Sequence, residues 1–296
     1  MITCIGEILV DQFKDEKGIS SNLGGAPFNV AVSIKRSGGH SSFVGAVGND
    51  DSGRFVIEEA KKQQLDNLKI DVLNEYDTTI ALVELKDGER SFKFIRSNGA
   101  DYHISEDLPP FVYESNIVHI GSLMLSEPCG RDFIHRIIPK LKAKGILISF
   151  DINYREDIFD ENDDIQGIFK SVIEQADILK ISSEELDIFS NEYIDNLRDK
   201  LVCLSLGSKG SVYCYNGMRG FVTTTKVKPV DTTGAGDAFY GAVLSQIDGY
   251  PLDELTKPQL DKAFKFANIV GALTTLGKGA INPIPYKEEI SKTFFK

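Results

Sequence analysis

Tryptophan is absent from this chain of 296 residues, methionine occurs three times and cysteine four times. Cys4, Cys129, Cys203 and Cys214 stand far apart with no C-x-x-C pair, so buried free thiols are expected rather than a zinc cluster or a disulfide scaffold. No apolar run has the length of a membrane span, and no run of Lys and Arg supplies the basic footprint that nucleic acid or an anionic membrane demands. With 33 basic and 44 acidic residues the net charge is −11, which disfavours both partners again. A phosphorylated ligand survives this argument, because a pocket needs only local positive potential. The start, Met1-Ile2-Thr3-Cys4-Ile5-Gly6, enters a strand without a basic n-region and predicts a cytoplasmic protein. Two phosphate fingerprints are missing as well. There is no G-x-x-x-x-G-K-[ST], and Phe239 stands where a G-x-G-x-x-G loop after Gly234 has its third glycine. The first strand runs into Glu7-Ile8-Leu9-Val10-Asp11 instead of a glycine loop, which argues against a dinucleotide-dependent oxidoreductase.

What is present is a rhythm. Short apolar, β-branched runs alternate with longer amphipathic segments, which predicts βα units on a mainly parallel sheet. Strands are expected at 2–6, 42–47, 117–120, 146–151, 178–181 and 202–206. Helical spacing marks 26–37, 52–64, 131–144, 165–175, 183–189 and 259–276, with Gly38-Gly39 and Gly145 as stops. Two segments break the rhythm. Residues 78–86 and 90–97 alternate through Ile80, Leu82 and Glu84, then Phe92, Phe94 and Arg96, around an Asp87-Gly88 turn. Residues 9–22 are inserted between a strand and a helix. Together, at about 9–22 and 75–103, these predict a small antiparallel sheet standing off a single domain of 1–296, fit to be a lid or a dimer surface.

The most informative stretch is Asp231-Thr232-Thr233-Gly234-Ala235-Gly236-Asp237, running into the apolar segment 238–244. Small residues at 234–236 let backbone N–H groups approach a ligand, and a helix beginning there adds unpaired donors and a positive dipole end. The apolar stretch 220–230 before it supplies a strand–loop–helix setting. An Asp in a first turn also satisfies an ordinary charge preference at a helix start. Gly24-Gly25-Ala26-Pro27-Phe28-Asn29 permits close backbone approach and projects Asn29 from the start of a helix, although a plain strand-to-helix turn uses the same residues. Asp151-Ile152-Asn153-Tyr154-Arg155 follows an apolar strand at the end where open α/β sheets bind ligands. Ser182-Ser183-Glu184-Glu185 ends the next strand and can cap a helix or face the site. Gly207-Ser208-Lys209-Gly210 reads as a hairpin turn, and Asn268 lies among small residues of the last long helix.

Gly24-Gly25-Ala26-Pro27-x-Asn29-x-Ala31 and the stretch from Asp231 to Phe239 resemble the two signatures of the ribokinase-like sugar kinases, the PfkB family, in order and separation. The resemblance covers essentially the whole chain. It implies a three-layer α/β fold with a mainly parallel central sheet flanked by helices, and a small antiparallel β lid. It also implies ATP-dependent phosphorylation of a sugar or nucleoside hydroxymethyl, with Mg²⁺ and, in many members, a monovalent cation such as K⁺. By the same resemblance Asp237 is the base, and the N–H groups of Gly234, Ala235 and Gly236 form the anion hole. Asp11, Gly24, Gly25 and Asn29 fall on the sugar hydroxyls, Arg96 and Asn153 approach the sugar, and Arg155 meets the sugar or the transferring phosphate. Lys180, Ser205, Gly207, Gly210 and Asn268 fall on the nucleotide side. Glu185 is the acidic group near Mg²⁺, acting through water, while Asp231 and Thr233 match the monovalent-cation loop. Ser182 stands where many members carry Asn, a departure at one phosphate or water contact.

The hairpin text from Gly88 to Arg96, with Asp151-x-Asn153-x-Arg155, looks most like fructokinases. Relatives acting on 2-keto-3-deoxygluconate share much of the pattern, and there an Arg would hold the substrate carboxylate. A non-catalytic sugar or nucleotide sensor on the same fold would have no need of Asp237. The implied partners are ATP, a small sugar and a second copy of the chain docked through the small sheet.

Overall fold

The computed structural model describes residues 1–15, 18–86, 89–189 and 191–294. In chain order the strands are β1 (Ile2–Ile5), β2 (Leu9–Asp15), β3 (Gly18–Gly24), β4 (Ser41–Gly48), β5 (Asn67–Leu73), β6 (Ile80–Lys86) and β7 (Glu89–Ile95). They continue with β8 (Ile117–Ile120), β9 (Leu147–Asp151), β10 (Ile178–Ser182), β11 (Leu201–Ser205), β12 (Ser211–Tyr215) and β13 (Met218–Val222). The helices are α1 (Ala26–Arg36), α2 (Asp51–Lys61), α3 (Pro110–Tyr113), α4 (Pro128–Lys142) and α5 (Ile165–Ile173). After them come α6 (Asn191–Asp195), α7 (Ala235–Ile247), α8 (Lys257–Thr274) and α9 (Lys287–Phe294).

Nine strands form the central sheet in the order β13-β12-β11-β10-β9-β8-β1-β4-β5. From β11 to β5 every neighbouring pair is parallel, and β12 and β13 extend one edge antiparallel. Alternation along the strands fills both faces. Cys4, Phe43, Ile178 and Cys203 pack into a core shared with α1, α2, α7 and α8, while Ile5, Val44, Leu179 and Val202 pack with α4 and α5. A parallel sheet needs such double cover, because its crossover helices lie on both faces. The result is the expected three-layer α/β fold. Among the described residues no helix is long and apolar enough to cross a membrane.

The second sheet has the order β3-β2-β6-β7. Its two hairpins, β2/β3 and β6/β7, are antiparallel and are joined by a parallel β2/β6 ladder. The Asp87-Gly88 turn lies outside the described residues.

Three local expectations change. The edge strand β5 is additional, and the alternation of Leu68, Ile70 and Val72 carries its signal. The segment 183–189 is not an α-helix but a short 3-10 turn at Glu185–Ile188, pinned at its start by Ser182 and at its end by the buried ring of Phe189. Strand β13 stops at Val222, so residues 223–230 reach the Asp231 motif as irregular chain. Pro229, with no N–H to offer a ladder, fits that outcome.

Candidate active site

A cavity of about 830 Å³ opens between the two sheets. Leu9, Asp11, Ala81 and Phe94 reach it from the small sheet, and Asn153, Ser182 and Ser205 reach it from the C-terminal ends of β9, β10 and β11. Gly25, Ala26 and Asn29 enter at the start of α1, and Thr232, Thr233, Gly234, Gly236 and Asp237 at the start of α7. Two segments about 200 residues apart in sequence therefore meet at one place.

The loop before α7 is fixed from within. Asp231 accepts through Oδ1 from the N–H and hydroxyl of Thr233 at 2.9 and 2.7 Å, and through Oδ2 from the Gly279 N–H at 3.0 Å. Gly234 caps the helix in the left-handed region at φ 73°, and a Cβ there would come within 2.7 Å of Ala280, so both conformation and space call for glycine. The turn closes when the Ala235 N–H donates to the Thr232 carbonyl at 3.2 Å. That commits the Ala235 N–H, and Ala235 does not line the cavity. The N–H groups of Gly234, Gly236 and Asp237 make no backbone hydrogen bond among the described residues. Of the expected trio, Gly234 and Gly236 thus keep their N–H groups free of backbone acceptors among the described residues, as does Asp237, while Ala235 uses its own in the turn.

Asp237 sits in the first turn of α7, and the Asn29 Nδ2 donates to its Oδ2 at 2.8 Å. Enclosure by the protein raises its pKa above the ordinary carboxylate value, against the pull of Lys180, the Asn29 hydrogen bond and Arg155. Asn29 Oδ1 is buried without a hydrogen-bond partner among the described residues. Asp11, on β2, lies against Gly24 of β3 so closely that a Cβ on Gly24 would collide with its carboxylate. Burial pushes Asp11 up to about 7, with the Asp237 and Asp231 charges adding to the shift.

On the other side Lys180 Nζ donates to both oxygens of Asp151, at 2.9 and 2.8 Å. Burial opposes its charge, but the Asp151, Glu185 and Asp237 carboxylates more than offset this and raise its pKa. The ammonium underlies the anion loop, since a Cβ on Gly236 would lie 3.6 Å from it. Glu185 accepts from the Tyr154 N–H at 3.0 Å and the Ser182 N–H at 2.7 Å. Ser182 Oγ in turn accepts from the Glu185 N–H at 3.3 Å, so the serine secures Glu185. Asn153 and Arg155 line the same region, and the Arg155 guanidinium makes no ion pair among the described residues.

These residues fit a Mg²⁺–nucleotide. Carboxylates outnumber cations around the cavity, so a bare polyphosphate would be repelled, and the available oxygens are the hard donors that Mg²⁺ prefers. Among the described residues no cluster of three or more His, Cys, Asp or Glu stands ready to hold a metal. Mg²⁺ would therefore be held by Glu185 together with water and phosphate oxygens.

Beyond Ala235 and Asp231, five expected positions lie outside the cavity lining: Gly24, which packs against Asp11, then Arg96, Gly207, Gly210 and Asn268. Arg96 is buried in an ion pair with Asp101, donating from Nε at 2.9 Å and Nη2 at 2.8 Å, and it also donates to the Leu123 carbonyl at 3.1 Å and to Ser126. It does not line the cavity, because Asp101, the Leu123 carbonyl and the Ser126 hydroxyl claim its donors first. Asn268 donates to the Val222 carbonyl at 2.9 Å and ties α8 to β13. Gly207 and Gly210 form the turn after β11, next to Ser205 but outside the cavity lining. In the other direction, Glu7, Phe94 and Thr232 line the cavity without having been singled out as site residues, and Asp151 matters as the partner of Lys180. The inward alternation of Phe94 and the place of Thr232 inside the motif were usable signals. Glu7 gave none.

Comparison with known proteins agrees with this geometry. The family model described as pfkB family carbohydrate kinase matches residues 1–287. The chain belongs to the pfkB family. It is an ATP-dependent carbohydrate kinase. Fructokinase-1 of Oryza sativa subsp. japonica is 34% identical over 99% of this chain and 97% of its own length. The structure of a Xylella fastidiosa fructokinase with bound ATP superposes with a TM-score of 0.91 at 26% identity, covering 98% of this chain and 97% of that one. A fructokinase double mutant of Vibrio cholerae, solved with fructose, ADP and potassium ion, gives a TM-score of 0.89 at 32% identity over 100% and 98% of the two chains.

Proposed function

We propose that this pfkB-family kinase is a fructokinase, transferring the γ-phosphoryl group of Mg-ATP to a hydroxymethyl of fructose to give fructose 6-phosphate. The observation that carries the reading is Asp237, held by Asn29 at 2.8 Å between a loop with open N–H groups and a sugar end with unpartnered oxygens. Asp237 takes the hydroxyl proton as that oxygen bonds to the γ-phosphorus, the bond to the bridging oxygen breaks, and ADP departs. The N–H groups of Gly234, Gly236 and Asp237 stabilise charge on the phosphoryl oxygens, and Arg155 approaches from the mouth. When bound, Mg²⁺ supplies charge neutralisation on the phosphates, with Glu185 as its anchor through water. Asp11 and Asn29 Oδ1 accept from sugar hydroxyls, Gly24 and Gly25 let the sugar approach the backbone, and Asn153 completes that side. Lys180 and Ser205 face the nucleotide, with Gly207, Gly210 and Asn268 framing the adenosine edge behind them.

Asp231 and Thr233 are the proposed monovalent-cation loop, in which K⁺ would share oxygens that already brace the turn. We read the chain as one domain of 1–296 with the small sheet as its lid. Ile19 and Ile95, 66% and 49% exposed on that sheet, support a homodimer formed through it. Four free cysteines support a reducing, cytoplasmic setting. A second acceptor is favoured by Arg155, whose guanidinium donates to the Tyr154 carbonyl but makes no ion pair among the described residues and would suit the carboxylate of 2-keto-3-deoxygluconate. The deciding experiment compares kcat/KM over fructose, 2-keto-3-deoxygluconate, ribose, tagatose and adenosine with Mg-ATP. Fructose is expected to lead, and a tenfold preference for any other acceptor would overturn the assignment.

A further inference from the structure

Glu7 stands two residues past the end of β1, is 1% exposed, and lines the cavity together with Asp11 and Asn29. Neither carboxyl oxygen has a hydrogen-bond partner in another of the described residues. Two unpaired oxygens on a buried acid are costly unless a ligand completes them. Space has been kept for this side chain, since a Cβ on Gly121 would come within 2.5 Å of Glu7 Oε2.

We propose that Glu7 is a further sugar-contacting residue of this kinase, its carboxyl exchanging hydrogen bonds with adjacent hydroxyls of the acceptor. The inference rests on the sugar-kinase reading of the cavity. Its groups of opposite and like charge are Arg96 and Asp101, already paired with each other, and Asp237, already bound by Asn29. Asp11 shares the cavity wall. Burial, aided by the Asp101 and Asp237 charges and opposed by its own amide and Arg96, raises Glu7 to about 8. At neutral pH it is a carboxylic acid with one donor and one acceptor oxygen, the same pair that each alcohol of a polyol offers in return. Ionised Asp11 and the Asn29 carbonyl oxygen are acceptors, so protonated Glu7 adds a donor beside them, next to the amide N–H groups that Asn153 can offer. A deoxy sugar would leave that donor unpaired, which is how a buried polar group discriminates.

The test uses Glu7→Ala and Glu7→Gln in the full chain, with kcat and KM for fructose and for ATP, fructose calorimetry, and a pH series. Glu7→Ala is expected to raise KM for fructose roughly tenfold with KM for ATP little changed, and Glu7→Gln, which keeps a donor and an acceptor, to recover most of the loss. Wild-type KM for fructose should climb above about pH 8 as the acid ionises, and Glu7→Gln should lack that limb. Single-deoxy fructoses should reveal one hydroxyl whose removal costs the wild type but not Glu7→Ala. A wild-type KM for fructose in Glu7→Ala, or the same alkaline limb in Glu7→Gln, would overturn the proposal. If Glu7→Ala does not fold, the pH series of Glu7→Gln decides alone. Failure of the wild type to bind or phosphorylate fructose would instead strike the fructokinase reading, a separate outcome.

Discussion

At the proposed phosphate end of the cavity Glu185 is held by two backbone N–H groups and Asp231 by three donors, whereas at the proposed sugar end Asn29 Oδ1 and both Glu7 oxygens have no partner in another of the described residues. The contrast follows from what each end must do. Charge on a transferring phosphoryl group is stabilised best by dipoles that need no reorganisation, so that end is braced before substrate arrives. Sugar hydroxyls bring donors and acceptors of their own, so acceptors left open there become satisfied only by the right ligand. On the proposed function, chemistry and acceptor choice are carried by different residues, which meet at Asp237.

The contrast can be broken most severely at Asp237. Asp237→Asn should lower kcat by roughly 10²–10⁴-fold, because the base is lost while the acceptor for Asn29 remains. Steady-state turnover with saturating fructose and Mg-ATP measures this. Gly234→Ala strains a positive φ and presses on Ala280, and it should cost roughly 10²–10³-fold in kcat by displacing the anion donors, with KM for fructose little altered. Asn29→Ala acts on the sugar side and should raise KM for fructose about 10–100-fold, the value of a buried hydrogen bond to a charged group.

Acid sharpens the same division. Asp11 has its pKa raised to about 7, so its carboxylate is lost as pH falls through that value and kcat/KM for fructose should drop roughly tenfold per unit below it. Asp11→Asn should lower kcat/KM and flatten that limb in a pH profile. The smallest catalytic effect is expected at Arg96. Arg96→Met leaves Asp101 buried and unpaired and should destabilise the fold by about 3–5 kcal/mol in denaturant titration, with kcat/KM changed only a few-fold.

The sheet was legible because a strand buried on both faces, such as Ile178–Ser182, must be apolar almost throughout, and its helices carry complementary faces. The glycine loop and the helix start after it were legible because small residues stand directly before an apolar helix there. Arg96 misled for a physical reason. Its alternation with Phe92 and Phe94 predicts which face of the hairpin it takes, but not that Asp101, five residues on, would bind it first. For Ala235, only the turn geometry shows that its N–H is given to the Thr232 carbonyl. Glu7 was invisible because burial of a lone acid after a strand leaves no periodic trace.

The division between the two ends is tested most directly by calorimetric titration of fructose into Asp237→Asn, alongside its turnover. The predicted result is a Kd for fructose within a few-fold of wild type in a protein that has lost nearly all phosphoryl transfer. A fructose affinity that collapses in step with turnover would contradict the account, because sugar recognition and catalysis would then rest on the same group.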